Sequence, residues 1–322
     1  MSIFHTGLSP FKKTKVVPIF LTINSAYAPY AAAAIHSLTE HVNPDRYYRV
    51  IILHDGLNWV NRVRLRNLVT KNVALQFKKM TRSIHLKVIV AYCMRRKKGS
   101  GDFFSSAVYY YRAFIPRLFP MYDKAVYIDS DTILRGDIGE LYDIDLEDKA
   151  LAAMVDPKVS AIKEFRDYVD NAVGVPHDEY VNSGVQLMDL RKMRKMKYLS
   201  TMIELIRKYD ADLVAPDQDY LNIILRGQIL FLPECWNMEP RKDLPKNTKL
   251  IHFNLFNKPW HYKNVPCERI FWNAAKGTGF LGDLKRQQAA FDEEKQKADH
   301  EKVEALIKKA GKLAKTKKPL VG

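Results

Sequence analysis

Residues Ala125–Leu134 read AVYIDSDTIL, an apolar run closed by two aspartates with one serine between them. The run has the composition of a buried strand. An extended chain points residues i and i+2 the same way, so Asp129 and Asp131 can converge on one point. Two unpaired carboxylates held together are costly, and a divalent cation relieves the repulsion. Taken alone, Asp-x-Asp fits a polar strand end or a helix cap as readily as a cation site.

Outward from that stretch, the chain alternates strand and helix. Lys15–Ile23 (KVVPIFLTI), Tyr48–Leu53 (YRVIIL) and Val73–Phe77 read as strands. Tyr27–His41, with Pro29 in its first turn, and Trp59–Val69 have helical character. A helix is expected over Tyr109–Leu118, then strands at Ala125–Ile128, Leu151–Val155, Val185–Leu190 and Lys249–Phe253. Further helices are expected from Met193 to Tyr209 and over Asp217–Leu225. This alternation predicts an α/β fold with a mostly parallel sheet and helices on its faces. The basic run Arg95–Lys98, ahead of Gly99-Ser100-Gly101, reads as a mobile loop.

The chain has 322 residues, 47% of them hydrophobic, enough for one large α/β domain. No apolar run approaches the ~20 residues needed to span a bilayer, and the N-terminus lacks the apolar core of a secretory signal. Cys93, Cys235 and Cys267 are odd in number and far apart, and no Asn-x-Ser/Thr occurs. These features predict a reducing, cytoplasmic setting. The formal charge of +16 suggests nucleic acid, an anionic membrane surface or phosphorylated substrates. The basic residues are dispersed and form no recognised nucleic-acid module, so no nucleic acid is expected. Composition shifts near Gly282, dividing the chain into residues 1–280 and a basic, helical extension over 281–322. In that extension Val303, Leu306, Ile307, Ala310, Leu313 and Ala314 share one face, which suits a solvated helix, a partner protein or anionic lipid.

There is no G-x-x-x-x-G-K-[ST], H-E-x-x-H or G-x-S-x-G motif. A second stretch carries chemistry instead. Lys249–His261 reads KLIHFNLFNKPWH, with His252 at the end of a short strand and Lys258 six residues on. A histidine beside two aspartates gives a mixed nitrogen and oxygen donor set, better suited to Mn²⁺ than to Mg²⁺. A neighbouring lysine can neutralise phosphate.

Together these pieces resemble glycosyltransferase family 8. Six motifs run in the family's order between Val16 and Trp272: Tyr27, Tyr111-Arg112, Ile128-Asp129-Ser130-Asp131, Tyr180 through Val185, Asp217-Gln218-Asp219, and His252 through Trp260. The resemblance implies a GT-A fold, a UDP-hexose donor, Mn²⁺ with Mg²⁺ as the alternative, and retention of anomeric configuration. It implies that Asp129, Asp131 and His252 bind the metal and that Lys258 contacts phosphate. Thr22, Asn24 and Tyr27 match the uridine loop, and Ser130 lies beside the ribose or metal. Arg112, Asp156, Asn182, Asp217 and Gln218 match positions around the donor sugar. Of these, Asp217 and Gln218 are the candidate catalytic residues. The expected acceptor is a glycan, glycolipid or glycoprotein, and the basic tail resembles segments that dock family members at the inner membrane face. Two departures stand out: Asn24 where an acid is common, and Asn254-Leu255 where a glycine is common. The competing readings are a sugar-nucleotide nucleotidyltransferase or pyrophosphorylase and, on charge alone, a nucleic-acid-binding protein.

Overall fold

The computed structural model describes residues 16–81, 83–100, 106–209, 212–316 and 319. The N-terminal reading therefore falls outside the described residues, as does most of the chain beyond 316. Nine strands follow in order among them: β1 (Val16–Ile23), β2 (Tyr47–His54), β3 (Val73–Lys79), β4 (Lys124–Ile128), β5 (Thr132–Leu134), β6 (Leu151–Ala153), β7 (Val185–Asp189), β8 (Ile229–Phe231) and β9 (Leu250–His252). Seven build one sheet in the order β3-β2-β1-β4-β7-β6-β8, and β5 and β9 form a separate two-stranded ribbon. The main sheet is parallel except at β7, which runs antiparallel to both β4 and β6.

Side-chain alternation fills both faces of the sheet. Val17, Ile19, Leu21, Val126 and Ile128 enter one hydrophobic cluster, while Phe20, Ala125 and Tyr127 enter the other. This double burial is why β1 reads as a nearly unbroken apolar run. Pro18 is tolerated in a central strand because the pairing of β1 with β4 begins only at Ile19↔Val126.

Three local expectations are corrected. Arg95–Lys98 is not a loop but part of a helix, Ile84–Ser100. Residues 107–114 form a 3-10 helix before a short α-helix at Ile115–Leu118. The Met193–Tyr209 segment is two helices, Leu190–Lys195 and Tyr198–Tyr209, separated near Lys197 with its left-handed φ of 56°. A G-x-G-x-x-G string, Gly277–Gly282, joins two helices and does not leave a strand, so it lacks the context of a dinucleotide turn.

The C-terminal helix Glu293–Thr316 packs on the body of the protein. Leu306, Ala310 and Leu313 are buried in the larger cluster, with Ile307 and Ala314 against it. Lys309 donates to the Leu213 carbonyl at 3.0 Å and pairs with Asp212 at 2.7 Å. The apolar face anticipated for lipid, solvent or a partner is thus spent on the protein's own core. Among the described residues, no helix is long and apolar enough to cross a membrane.

Candidate active site

The carboxyl ends of β1 and β4 and the start of β7 meet at one edge of the sheet, where open α/β sheets place ligands. Asp129 follows β4 directly, and its N–H donates to the Gly184 carbonyl at 2.7 Å. Asp131 leads into β5, whose Thr132 pairs with His252 on β9. The ribbon therefore brings a residue from late in the chain to the two aspartates. One ligand atom from each of Asp129, Asp131 and His252 lies within 4.8 Å of the others. The imidazole Nε2 is 3.2 Å from Asp131 Oδ1 and 3.9 Å from Asp129 Oδ2.

Cations balance this cluster. Lys258 donates to Asp131 at 2.6 Å and to the Phe253 carbonyl at 2.7 Å. Burial opposes ionisation of Asp131, but Lys258 and His252 outweigh it and hold the carboxyl well below its ordinary range. Arg112, 4% exposed, lies between Asp129 at 3.4 Å and Asp217 at 3.3 Å. Its guanidinium also donates to the Ser183 carbonyl and covers the Tyr127 ring at 4.6 Å. Burial lifts the Asp217 carboxyl to about 6, with Arg112 opposing and Asp129 adding to the rise.

A chain of polar contacts leads away from the histidine. His252 Nδ1 is 2.9 Å from Asn237 Oδ1, and Asn237 donates to Asn182 Oδ1 at 3.0 Å. Asn182 donates to Asp156 Oδ2 at 2.9 Å, where Gln218 also donates at 3.0 Å. The Gln218 carbonyl accepts from Ser183 N and Oγ at 2.9 and 3.1 Å. Asp156 Oδ1 meanwhile caps the helix Pro157–Ala161. The Pro216–Ile224 helix that carries Asp217 and Gln218 is fixed from below. Its buried Asp219 accepts from Tyr168 and Tyr180 hydroxyls at 2.8 and 2.7 Å, and Asn222 bonds both backbone groups of Val181.

At the other end, Asn24 spends its carbonyl oxygen on the amides of Ala26 and Tyr27, which forms the turn that presents Tyr27. Tyr27 meets Tyr30 edge-on at 5.4 Å, and Tyr30 stacks on Trp260 at 4.2 Å. Thr22 is 2.9 Å from the Tyr127 hydroxyl, which donates to Asp129 at 2.6 Å.

All thirteen residues nominated from sequence line one cavity of about 370 Å³: Thr22, Asn24, Tyr27, Arg112, Asp129, Ser130, Asp131, Asp156, Asn182, Asp217, Gln218, His252 and Lys258. Sequence reasoning missed Asn237 and Tyr127, and it named Gly184 only within the Tyr180–Val185 motif, with no role of its own. Tyr127 had a signal, because the period of two that aligns Asp129 with Asp131 places it on the same face. The role of Gly184 shows itself only in three dimensions: a Cβ there would overlap His252 Cε1 and sit 2.9 Å from Asp129 Oδ2. Two carboxylates and an imidazole around a space kept open by a glycine fit a hard or borderline divalent cation. Leu255, at the position where a glycine was expected, holds a left-handed φ of 60°.

Comparison with known proteins bears on the fold and the family. A lipopolysaccharide 1,2-glucosyltransferase of Escherichia coli K12 is 28% identical over 216 residues, 61% of this chain and 62% of that one. The apo structure of the bifunctional glycosyltransferase WbbM superposes with a TM-score of 0.70 at 24% identity, covering 88% of this chain and 53% of that one. The galactosyltransferase LgtC, solved with donor and acceptor sugar analogues, gives 0.67 at 21%, covering 82% and 96%. The fold is therefore the GT-A fold. Residues 18–264 match the family described as Glycosyl transferase family 8. The chain belongs to that glycosyltransferase family.

Proposed function

We propose that this glycosyltransferase moves galactose or glucose from a UDP-sugar to a glycan, glycolipid or glycoprotein, with a divalent cation and with retention of configuration. The observation that carries the reading is the Asp129–Asp131–His252 cluster with Lys258 paired to it at 2.6 Å. The glucosyltransferase name of the Escherichia coli relative supports a saccharide of the lipopolysaccharide kind as acceptor. On this reading the enzyme works in the cytoplasm, and a position at the inner membrane face would have to rest on something other than the apolar face of the C-terminal helix, which the protein's own core covers.

Asp129, Asp131 and His252 would hold the cation, Mn²⁺ in preference to Mg²⁺ because one donor is imidazole nitrogen. Such an ion neutralises a diphosphate and stabilises the charge that develops on the departing nucleotide. Lys258 turns from Asp131 to a phosphate oxygen and adds a second positive charge there. Thr22, Asn24 and Tyr27 hold the uridine end, with Tyr27 offering a ring face and Ser130 beside the ribose. Asp156, Asn182 and Arg112 orient the hexose hydroxyls. The Gln218 amide is bonded at both ends, to Asp156 and Ser183, so it holds position in place of attacking. Asp217, tied to Arg112, takes a sugar hydroxyl. These assignments favour same-face attack, with the leaving phosphate accepting the acceptor's proton; a trapped glycosyl adduct on Asp217 would replace this with double displacement.

The test is thermal unfolding with a panel of UDP-sugars, with and without Mn²⁺, on the wild type and Asp131→Ala. Saturation at ~100 times Kd stabilises by about 2.7 kcal/mol. The wild type should show this only with both components, and the variant should not. Absence of Mn²⁺-dependent stabilisation by every UDP-sugar overturns the reading. Release of pyrophosphate in place of UDP would select the nucleotidyltransferase.

A further inference from the structure

We propose that the C-terminal helix Glu293–Thr316 completes the acceptor side of the cavity, and that the apolar recess beneath it takes an apolar group attached to the acceptor sugar. The proposal rests on the hexosyltransferase reading and names the class of acceptor.

The cavity has two unlike walls. One is the polar wall described above. The other is built from Val159, Phe165, Val169, Val214 and Leu306, all buried and all in one hydrophobic cluster. The tyrosine hydroxyls nearest to it are spent, since Tyr168 and Tyr180 both donate to Asp219. Such a wall returns nothing to a nucleotide diphosphate or to a ring of hydroxyls, whereas it favours alkyl or aryl surface.

Its place along the chain decides which substrate it serves. The Val159 N–H donates to Asp156 at 3.3 Å, and Val214 and Ala215 lead directly into Pro216 and Asp217. The recess therefore adjoins the residues proposed for the hexose, and a second substrate must approach the hexose to receive it. Asp299 and Leu306 both line the cavity from the C-terminal helix. Seven residues apart, they span roughly 10 Å of helix, two turns along one face. Lys309 fastens this helix to Leu213, at the root of the recess. The helix lies wholly outside residues 18–264 that match the family, so of this wall only Leu306, with Asp299 on the same helix, comes from beyond the matched segment. The occupant is a glycoside whose aglycone is apolar, lipid or aromatic.

Leu306 is the specificity-determining residue, and Leu313 supplies the control, being on the same helix and 7% exposed but not lining the cavity. The experiment is saturation-transfer NMR in the presence of UDP and Mn²⁺. The ligands are methyl, phenyl and octyl β-glycosides of glucose and of galactose. Wild type should bind a phenyl or octyl glycoside about ten-fold tighter than the methyl glycoside of the same sugar. Leu306→Ala should bring that ratio below about three-fold, while Leu306→Met and Leu313→Ala keep it and UDP binding stays unchanged. A ratio near one in the wild type for both sugars overturns the proposal, as does an equal loss in Leu306→Ala and Leu313→Ala. Wild-type protein that binds no UDP with Mn²⁺ overturns the hexosyltransferase reading itself, a result separate from the glycoside ratio.

Discussion

Gly184→Ala tests the metal site without touching a ligand. Gly184 has no left-handed φ, so alanine brings no backbone strain and the effect is steric. The added Cβ would overlap His252 Cε1 and lie 2.9 Å from both His252 Nδ1 and Asp129 Oδ2. Ordinary contacts of this kind need about 3.5 Å, so one partner must retreat by more than about 0.5 Å. Neither has room. His252 is 3% exposed and held by Asn237 at 2.9 Å, and Asp129 is fixed by the Tyr127 hydroxyl and by its own N–H. Overpacking at such a site costs about 1–3 kcal/mol. Misaligning a ligand lowers metal affinity by roughly 10- to 100-fold. The measurements are urea unfolding of metal-free protein and Mn²⁺ titration followed by electron paramagnetic resonance. Alanine at 184 with wild-type Mn²⁺ affinity and wild-type stability would refute both the steric argument and the metal assignment.

Lys258→Met removes the cation that neutralises Asp131 in the metal-free protein. Calorimetry should then show Mn²⁺ binding tightened roughly five-fold without nucleotide and UDP binding weakened about ten-fold; weakening of both would show that Lys258 does not compete with the metal. A pH prediction concerns Asp217, which burial lifts to about 6. The folded state holds this proton more tightly than the unfolded chain, so the stability it contributes is full below about pH 4 and is lost as pH rises through about 6. Metal-free Asp217→Asn should therefore lose roughly 2–3 kcal/mol less than wild type across that interval. Parallel urea-unfolding profiles for the two proteins would refute the shift.

What the sequence made legible was whatever repeats at short range. The alternation of apolar strands and helices predicted the sheet, and the spacing of two in AVYIDSD predicted converging carboxylates. Order along the chain then joined His252 to them, although the ribbon that carries it there, three residues a side, is too short to announce itself. Asn237 lay in an unpatterned stretch, where nothing distinguishes a buried asparagine from a turn residue. The antiparallel turn of β7 is a matter of connection, not composition. The C-terminal helix was read correctly as amphipathic, yet amphipathicity says that a face needs cover without saying by what. Here the cover is the protein's own core. For Arg95–Lys98, a run of four cations hid a helix whose buried contacts, Ile89 and Tyr92 among them, lie just before it.

The chain of polar contacts behind the histidine also has a direction. The Gly184 N–H, which can only donate, meets Asn182 Oδ1 at 2.9 Å and so fixes which end of that amide is oxygen. Asn237 must then turn its NH₂ toward Asn182 and its oxygen toward His252 Nδ1. Nδ1 is left to donate, so Nε2 is the nitrogen that faces Asp131 and Asp129 and the one that would give up its proton to a cation. A backbone amide at the start of β7 thus orients the imidazole two asparagines away, and it turns Nε2 toward the place of a cation.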